Sequence, residues 1–154
     1  MGLWPLTYFL YFMKKKNSIC EFNDQRNLVL LENFRASLAR QSEISIKRAF
    51  GDAATAPAPR FWVSERRALT VVKKMLAGND ATLPMRKEKR EMFRLIYRRV
   101  VEEMEKNPTA SLSDIVFDVV NSEAPSSFID PEYAGKLITA ARKTRRINLK
   151  TPLQ

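Results

Sequence analysis

One short motif occurs twice in this chain, and it constrains the fold more than any other feature. Ala58-Pro59-Arg60-Phe61-Trp62-Val63-Ser64-Glu65-Arg66-Arg67-Ala68 is answered 66 residues later by Ala124-Pro125-Ser126-Ser127-Phe128-Ile129-Asp130-Pro131-Glu132-Tyr133-Ala134. In each copy a proline-stiffened turn closes on an aromatic and a β-branched residue. A helix-capping Ser or Asp follows, and then a helix. The same offset places Ser45 on Ser111, Ile46 on Leu112, Asp52 on Asp118, Val72 on Ile138, Phe34 on Val100 and Leu38 on Met104. A gapless offset across helix, turn and helix predicts a duplicated unit, and two copies are too few for a solenoid.

The segments between the turns read as helices. Leu28, Leu31, Phe34, Leu38 and, as an alternative member, Leu30 recur at three- and four-residue steps between Asp24 and Arg40. A shorter helix is expected from Glu43 to Thr55 with Ile46, Ala49, Phe50 and Ala53 inward, ended by Ala56-Pro57-Ala58-Pro59. Ser64 caps a third helix to Ala77, which buries Ala68, Val71, Val72, Met75 and Leu76 and stops at Gly78. A fourth is expected from Met85 to Lys106, with Pro84 in its opening turn and an apolar stripe of Met92, Phe93, Ile96, Val100 and Met104. Ser111 and Asp114 read as a capping box for a fifth, and Asp130-Pro131 opens the sixth. The expected fold is all-α, about six helices arranged as two tandem three-helix repeats, 24–77 and 85–143, that share one core within a single domain, 13–146. Residues 147–154 are expected to form a tail.

Residues 1–12 carry no charge, whereas Lys14, Lys15 and Lys16 follow directly. A secretory signal has the opposite order, and twelve residues do not span a bilayer. The favoured reading starts the native protein at Met13 and treats 1–12 as an upstream extension; a membrane-surface anchor with a basic flank is the alternative.

Composition removes several kinds of chemistry. The chain contains no His and a single cysteine, Cys20, so zinc fingers, Cys–His catalysis and an internal disulfide are excluded. Its four scattered glycines cannot build a phosphate-cradling loop. Glu102 and Glu103 are adjacent and do not share a helix face, and Asp114 and Asp118 are explained by a cap and a surface acid. Neither pair argues for a catalytic or metal site. No enzyme activity and no cofactor are expected, and one free thiol suits a reducing cytoplasm.

Charge points to the expected partner. Lys and Arg number 27 against 17 Asp and Glu, a net charge of +10, which favours a polyanion. On the third helix Arg66, Arg67, Thr70, Lys73 and Lys74 share the face opposite the apolar one, with no acid among them. Arg86, Lys87, Arg90 and Arg94 crowd the start of the fourth helix, against its macrodipole, and Arg142, Lys143, Arg145 and Arg146 end the sixth. These thirteen residues are the candidate contacts to nucleic acid, DNA in first place, in a binding or regulatory role. The second copy offers Glu132 and Tyr133 where the first has Arg66 and Arg67, so one copy is expected to bind and the other to scaffold. The rival reading is an adaptor whose basic faces meet acidic proteins and whose Trp62 or Tyr97 is an exposed anchor. A solvated basic surface is the plain alternative to both.

Phe61-Trp62-Val63-Ser64-Glu65-Arg66-Arg67-Ala68, Met92-Phe93-Arg94-Leu95-Ile96-Tyr97-Arg98-Arg99-Val100 and Ala124-Pro125-Ser126-Ser127-Phe128 resemble an uncharacterised family of small basic bacterial proteins, over Met13 to Lys143. That resemblance implies no activity and no functional residue. Each half also broadly resembles a helix-turn-helix unit, but the connection from Ala56 to Val63 exceeds the usual three or four residues and lacks a glycine.

Overall fold

A computed structural model describes residues 22–150, with side chains through Thr144. The proposed extension 1–12 and residues 151–154 lie outside the described residues, whereas residues 147–150 of the expected tail belong to the last helix. Six helices form, as the apolar spacing predicts: α1 (Asn23–Arg40), α2 (Ile46–Thr55), α3 (Glu65–Leu76), α4 (Lys87–Lys106), α5 (Leu112–Val120) and α6 (Pro131–Lys150). The fold is all-α. None of the described helices is long and apolar enough to cross a membrane.

The helix ends follow from the residues placed there. Ser45, Ser64 and Ser111 each accept the backbone N–H three residues ahead, from Arg48, Arg67 and Asp114. The Asp130 carboxylate accepts from the Glu132 and Tyr133 amides, with Pro131 as the first helical residue. At the end of α3, Gly78 takes φ +90°. Its N–H reaches the Met75 carbonyl and the Asn79 N–H reaches that of Lys74, the paired bonds of a Schellman ending. The opening of α4 departs from expectation. Pro84 stays outside the helix, which begins at Lys87, and Arg86 at the cap position supplies no side-chain acceptor.

The chain divides into two compact units, residues 22–56 with 129–150, and residues 57–128. These units cut across the segments 24–77 and 85–143. The first contains α1, α2 and α6, mutually packed; the second contains α3, α4 and α5, likewise mutually packed. The members of each expected helix-turn-helix pair, α2 with α3 and α5 with α6, therefore belong to different units.

In the first unit Leu30, Leu31, Phe34, Ala49, Ala53 and Ile138 make the core. The alanines let α2 lie close to its neighbours, and the Phe34 and Phe50 rings stack at 5.3 Å. Ser37 is also buried, and donates its hydroxyl to Asp52 at 2.7 Å while accepting from Gln41 at 3.1 Å. A polar position thus takes part of the inward face of α1. Leu28, expected inside, is 37% exposed, because the stripe turns through Val29, Leu30 and Leu31 instead. Ile46 and Leu76, also expected inside, are exposed as well; each lies at the end of its helix, where fewer neighbours cover it.

In the second unit the two Ala-Pro turns meet. Ala58 and Ala124 exchange both backbone hydrogen bonds at 2.9 Å, an antiparallel pair of residues that correspond in the sequence motif. Around them the Phe61 and Phe128 rings stack at 6.0 Å, and the Trp62 indole N–H donates to the Ser127 hydroxyl at 3.1 Å. Trp62 is 8% exposed and Val63 is buried, so the turn plugs the core as its apolar residues suggest. Phe128 adopts φ +52°, a left-handed conformation uncommon for an aromatic residue; the Ser126 hydroxyl holds its amide at 3.0 Å.

Two stability experiments follow. Trp62→Ala should cost about 3–5 kcal/mol in urea unfolding, whereas Trp62→Phe, which retains most of the buried ring but removes the bond to Ser127, should cost about 1–2 kcal/mol. In the other unit a Cβ on Gly135 would lie 2.7 Å from the body of the Phe50 ring. Gly135→Ala should therefore cost about 1–3 kcal/mol, and combining it with Phe50→Ala should be less than additive.

Candidate nucleic-acid interface

Arg66, Arg67, Lys73 and Lys74 are all exposed, as is Thr70. At about 100° per residue these five positions occupy an arc of about 120° on α3, over about 12 Å of its length. The opposite side is fixed by Ala68, Val71 and Val72, which are buried against the rest of the second unit, so the cationic side must face out. Among the described residues none of the four cations makes an ion pair. Glu65, the nearest acid, faces elsewhere and accepts from the Asn121 side chain at 3.1 Å. The Thr70 hydroxyl donates to the Arg66 carbonyl at 3.0 Å, which leaves its oxygen lone pairs outward but occupies its proton.

The cations of α4 divide into two kinds. Arg86 and Lys87 are exposed at its start. Arg90 is half-buried and donates to the Met85 carbonyl at 2.9 Å, and Arg94 pairs with Asp80 at 3.3 Å. Those two guanidiniums fasten the 77–86 connection to the helix. Asp80 is the centre of that connection, and its carboxylate also accepts from the Thr82 hydroxyl and amide. The Thr82 hydroxyl, then the Thr82 amide, hold the Asp80 carboxyl below its ordinary value of 3.8; slight desolvation opposes them and Arg94 adds a smaller lowering.

Arg142 and Lys143 belong to the other unit. Arg142 lies over the Phe34 ring at 5.6 Å, a cation–π contact, and Lys143 is exposed. The side chains of Arg145 and Arg146 lie outside the described residues. The thirteen predicted residues are thus divided between the two units. The α3 stripe with Arg86 and Lys87 lies on one unit, and Arg142 and Lys143 lie on the other.

Two arginines that look available in sequence are structural. Arg60 is buried, and its guanidinium donates to the carbonyls of Phe61 at 2.9 Å and Val63 at 2.6 Å. Arg99 lies 5.2 Å over the Phe61 ring and donates to the Glu123 carbonyl at 2.9 Å. Conversely, Lys47 and Lys136, absent from the predicted set, line a groove with Lys143. No local signal marks that grouping, because α2 and α6 are far apart in sequence. Among the described residues no group of His, Cys, Asp or Glu is placed to hold a metal. The chain matches no known protein family, no curated protein and no solved structure.

The depressed Asp80 carboxyl has a defined sign. Its contribution to stability is complete above 3.8, the unfolded value, and is lost as pH falls through the lower folded value. An NMR titration of the Asp80 carboxyl should therefore give a midpoint below 3.8. Thr82→Val should raise that midpoint more than Arg94→Ala does, since the Thr82 hydroxyl is the largest cause.

Proposed function

We propose that the chain binds nucleic acid, duplex DNA in first place, through the outward face of α3. The observation that carries this reading is the stripe of Arg66, Arg67, Lys73 and Lys74, all exposed and none ion-paired among the described residues. Phosphates are the ligands such a stripe suits, because each cation that neutralises one also releases a condensed counterion. Thr70 lies inside the arc and adds a hydrogen-bonding oxygen to it. Arg86 and Lys87 extend the positive charge on the same unit, whereas Arg90 and Arg94, being tied to the 77–86 connection, are secondary. Arg142 and Lys143 would be additional contacts from the other unit.

Of the two anchors assigned to the adaptor reading, Trp62 is buried and Tyr97 is half-buried. A purely solvated stripe is distinguished by titration. Binding of labelled duplex DNA, single strands and RNA, followed by anisotropy across salt concentrations, should show a steep slope of log K against log salt. Reversing Arg66, Arg67, Lys73 and Lys74 to Glu should reduce that slope by about 3–4 and cost at least tenfold in affinity at low salt. Unchanged binding by the reversed variant removes α3 from the interface, and no binding by the parent chain at low salt ends the proposal.

A further inference from the structure

On the first unit, α2 and the start of α6 enclose an open groove of about 1030 Å³. Its lining is largely apolar, with Ile46, Phe50, Pro131, Gly135 and Ala140. Ile46 is 45% exposed there, and the Phe50 ring packs directly on Gly135, where a Cβ would lie 2.7 Å from it. Lys47, Lys136 and Lys143 also line the groove, and all three are exposed. Lys136, Ala140 and Lys143 recur along one stripe of α6, so cation and apolar surface alternate down the wall. Of the two acids in the lining, Asp130 is engaged by the α6 cap, and Glu132 lies in the first turn, one turn from Lys136 and about 16 Å along the helix from Lys143.

This surface specifies its occupant by chemistry. An apolar floor offers nothing to a phosphate, so nucleic acid is a poor match. The uncharged segment 1–12 is followed by Lys14, Lys15 and Lys16, which carry the same sign as the rim. What fits is a helix with an apolar anchor between carboxylates. The chain displays one on its second unit. Phe117, in the middle of α5, is 52% exposed, and Asp114 and Asp118 are exposed on the same stripe. Beside them Glu102 and Glu103 of α4 line a depression together with Asp114 and Asp118. Arg99, the cation of that depression, is already engaged by Phe61 and the Glu123 carbonyl.

We propose that the α2–α6 groove receives α5 of a second copy of the chain, with Phe117 against the apolar floor and Asp114 and Asp118 facing the rim lysines. The two surfaces are different, so the contact is heterologous and propagates head to tail. Nuclease-treated protein should show an average mass, by light scattering at low salt, that rises with concentration and falls as salt is added. Phe117→Ser should abolish association by removing the anchor, and Lys136→Glu with Lys143→Glu should abolish it by reversing the rim. All three positions are exposed, and unchanged thermal melts of both variants check that each remains folded. The decisive arm mixes the two monomeric variants. Each retains the half that the other lacks, so the mixture should form a dimer that cannot extend.

A parent chain that is monomeric at all concentrations overturns the proposal, even if an acidic peptide enters the groove. A mixture that remains monomeric also overturns it. So does association that survives Phe117→Ser, or that disappears when residues 1–12 are removed. None of these outcomes depends on nucleic-acid binding, which is read separately with the α3 variant.

Discussion

The second unit depends on a backbone pair that proline has left with no other partners. Pro57 and Pro59 flank Ala58, and Pro125 follows Ala124, so three of the five residues around the crossing have no N–H to offer. The two remaining amides are fully buried, and each finds the other's carbonyl at 2.9 Å. An unmatched amide there would cost about 1–3 kcal/mol, so the pairing is enforced as much by penalty as by attraction. Once it forms, the residues that follow each alanine are brought side by side. Phe61 then stacks on Phe128, and Trp62 reaches Ser127. Arg60 caps the turn's own carbonyls and Arg99 covers the Phe61 ring. This is a small polar and aromatic knot, and α3 leaves it in a fixed direction. The turn thus sets where α3 begins, and the burial of Ala68, Val71 and Val72 aims its cationic stripe outward.

Much of this was legible in the residues. Ser64, Ser111 and Asp130 announce helix starts, because each carries a short oxygen at the place where orphan amides need one, whereas α2, expected from Glu43, starts at Ile46 behind a Ser45 cap. Gly78 announces an end because it alone there tolerates φ +90°. What local pattern cannot supply is the partner of a helix. The motif repeats at a constant offset, but α3 joins α4 and α5 while α6 joins α1 and α2, a choice made by long-range burial. The same limit explains Ser37. Its hydroxyl is buried only because Asp52 of α2 is there to accept from it, and α1 read alone assigns that position to solvent. Leu28 and Ile46 err in the other direction, as apolar residues on helices whose neighbours happen not to cover them.

Charge was legible as composition and only partly as geometry. A cation is counted equally whether it faces water, a ring or a carbonyl. Arg90, Arg94, Arg99 and Arg60 all turn out to hold backbone or side-chain partners of their own unit. Such contacts draw on hydrogen bonds from charged donors, which are worth more than neutral ones, and they withdraw the arginine from external ligands. The groove of the first unit lay at the opposite extreme. Its lysines are unremarkable in their own helices and gain meaning only when α2 and α6 are brought together.

The four cations of the α3 stripe are not equally explained by the fold. Lys73 and Lys74 lie in the last turn of the helix, where positive charge is favoured by the macrodipole at about 0.3–1 kcal/mol each. Their presence therefore has a structural reason independent of any ligand. Arg66 and Arg67 have none. They occupy the first turn, where the dipole disfavours a cation, and neither is ion-paired among the described residues. Helix stability favours acids there, as at Glu65 beside them and at Glu132 in the corresponding turn of α6. Two guanidiniums kept at an electrostatically unfavourable helix start, on a stripe that the buried face of α3 aims outward, are the part of this surface that folding does not explain.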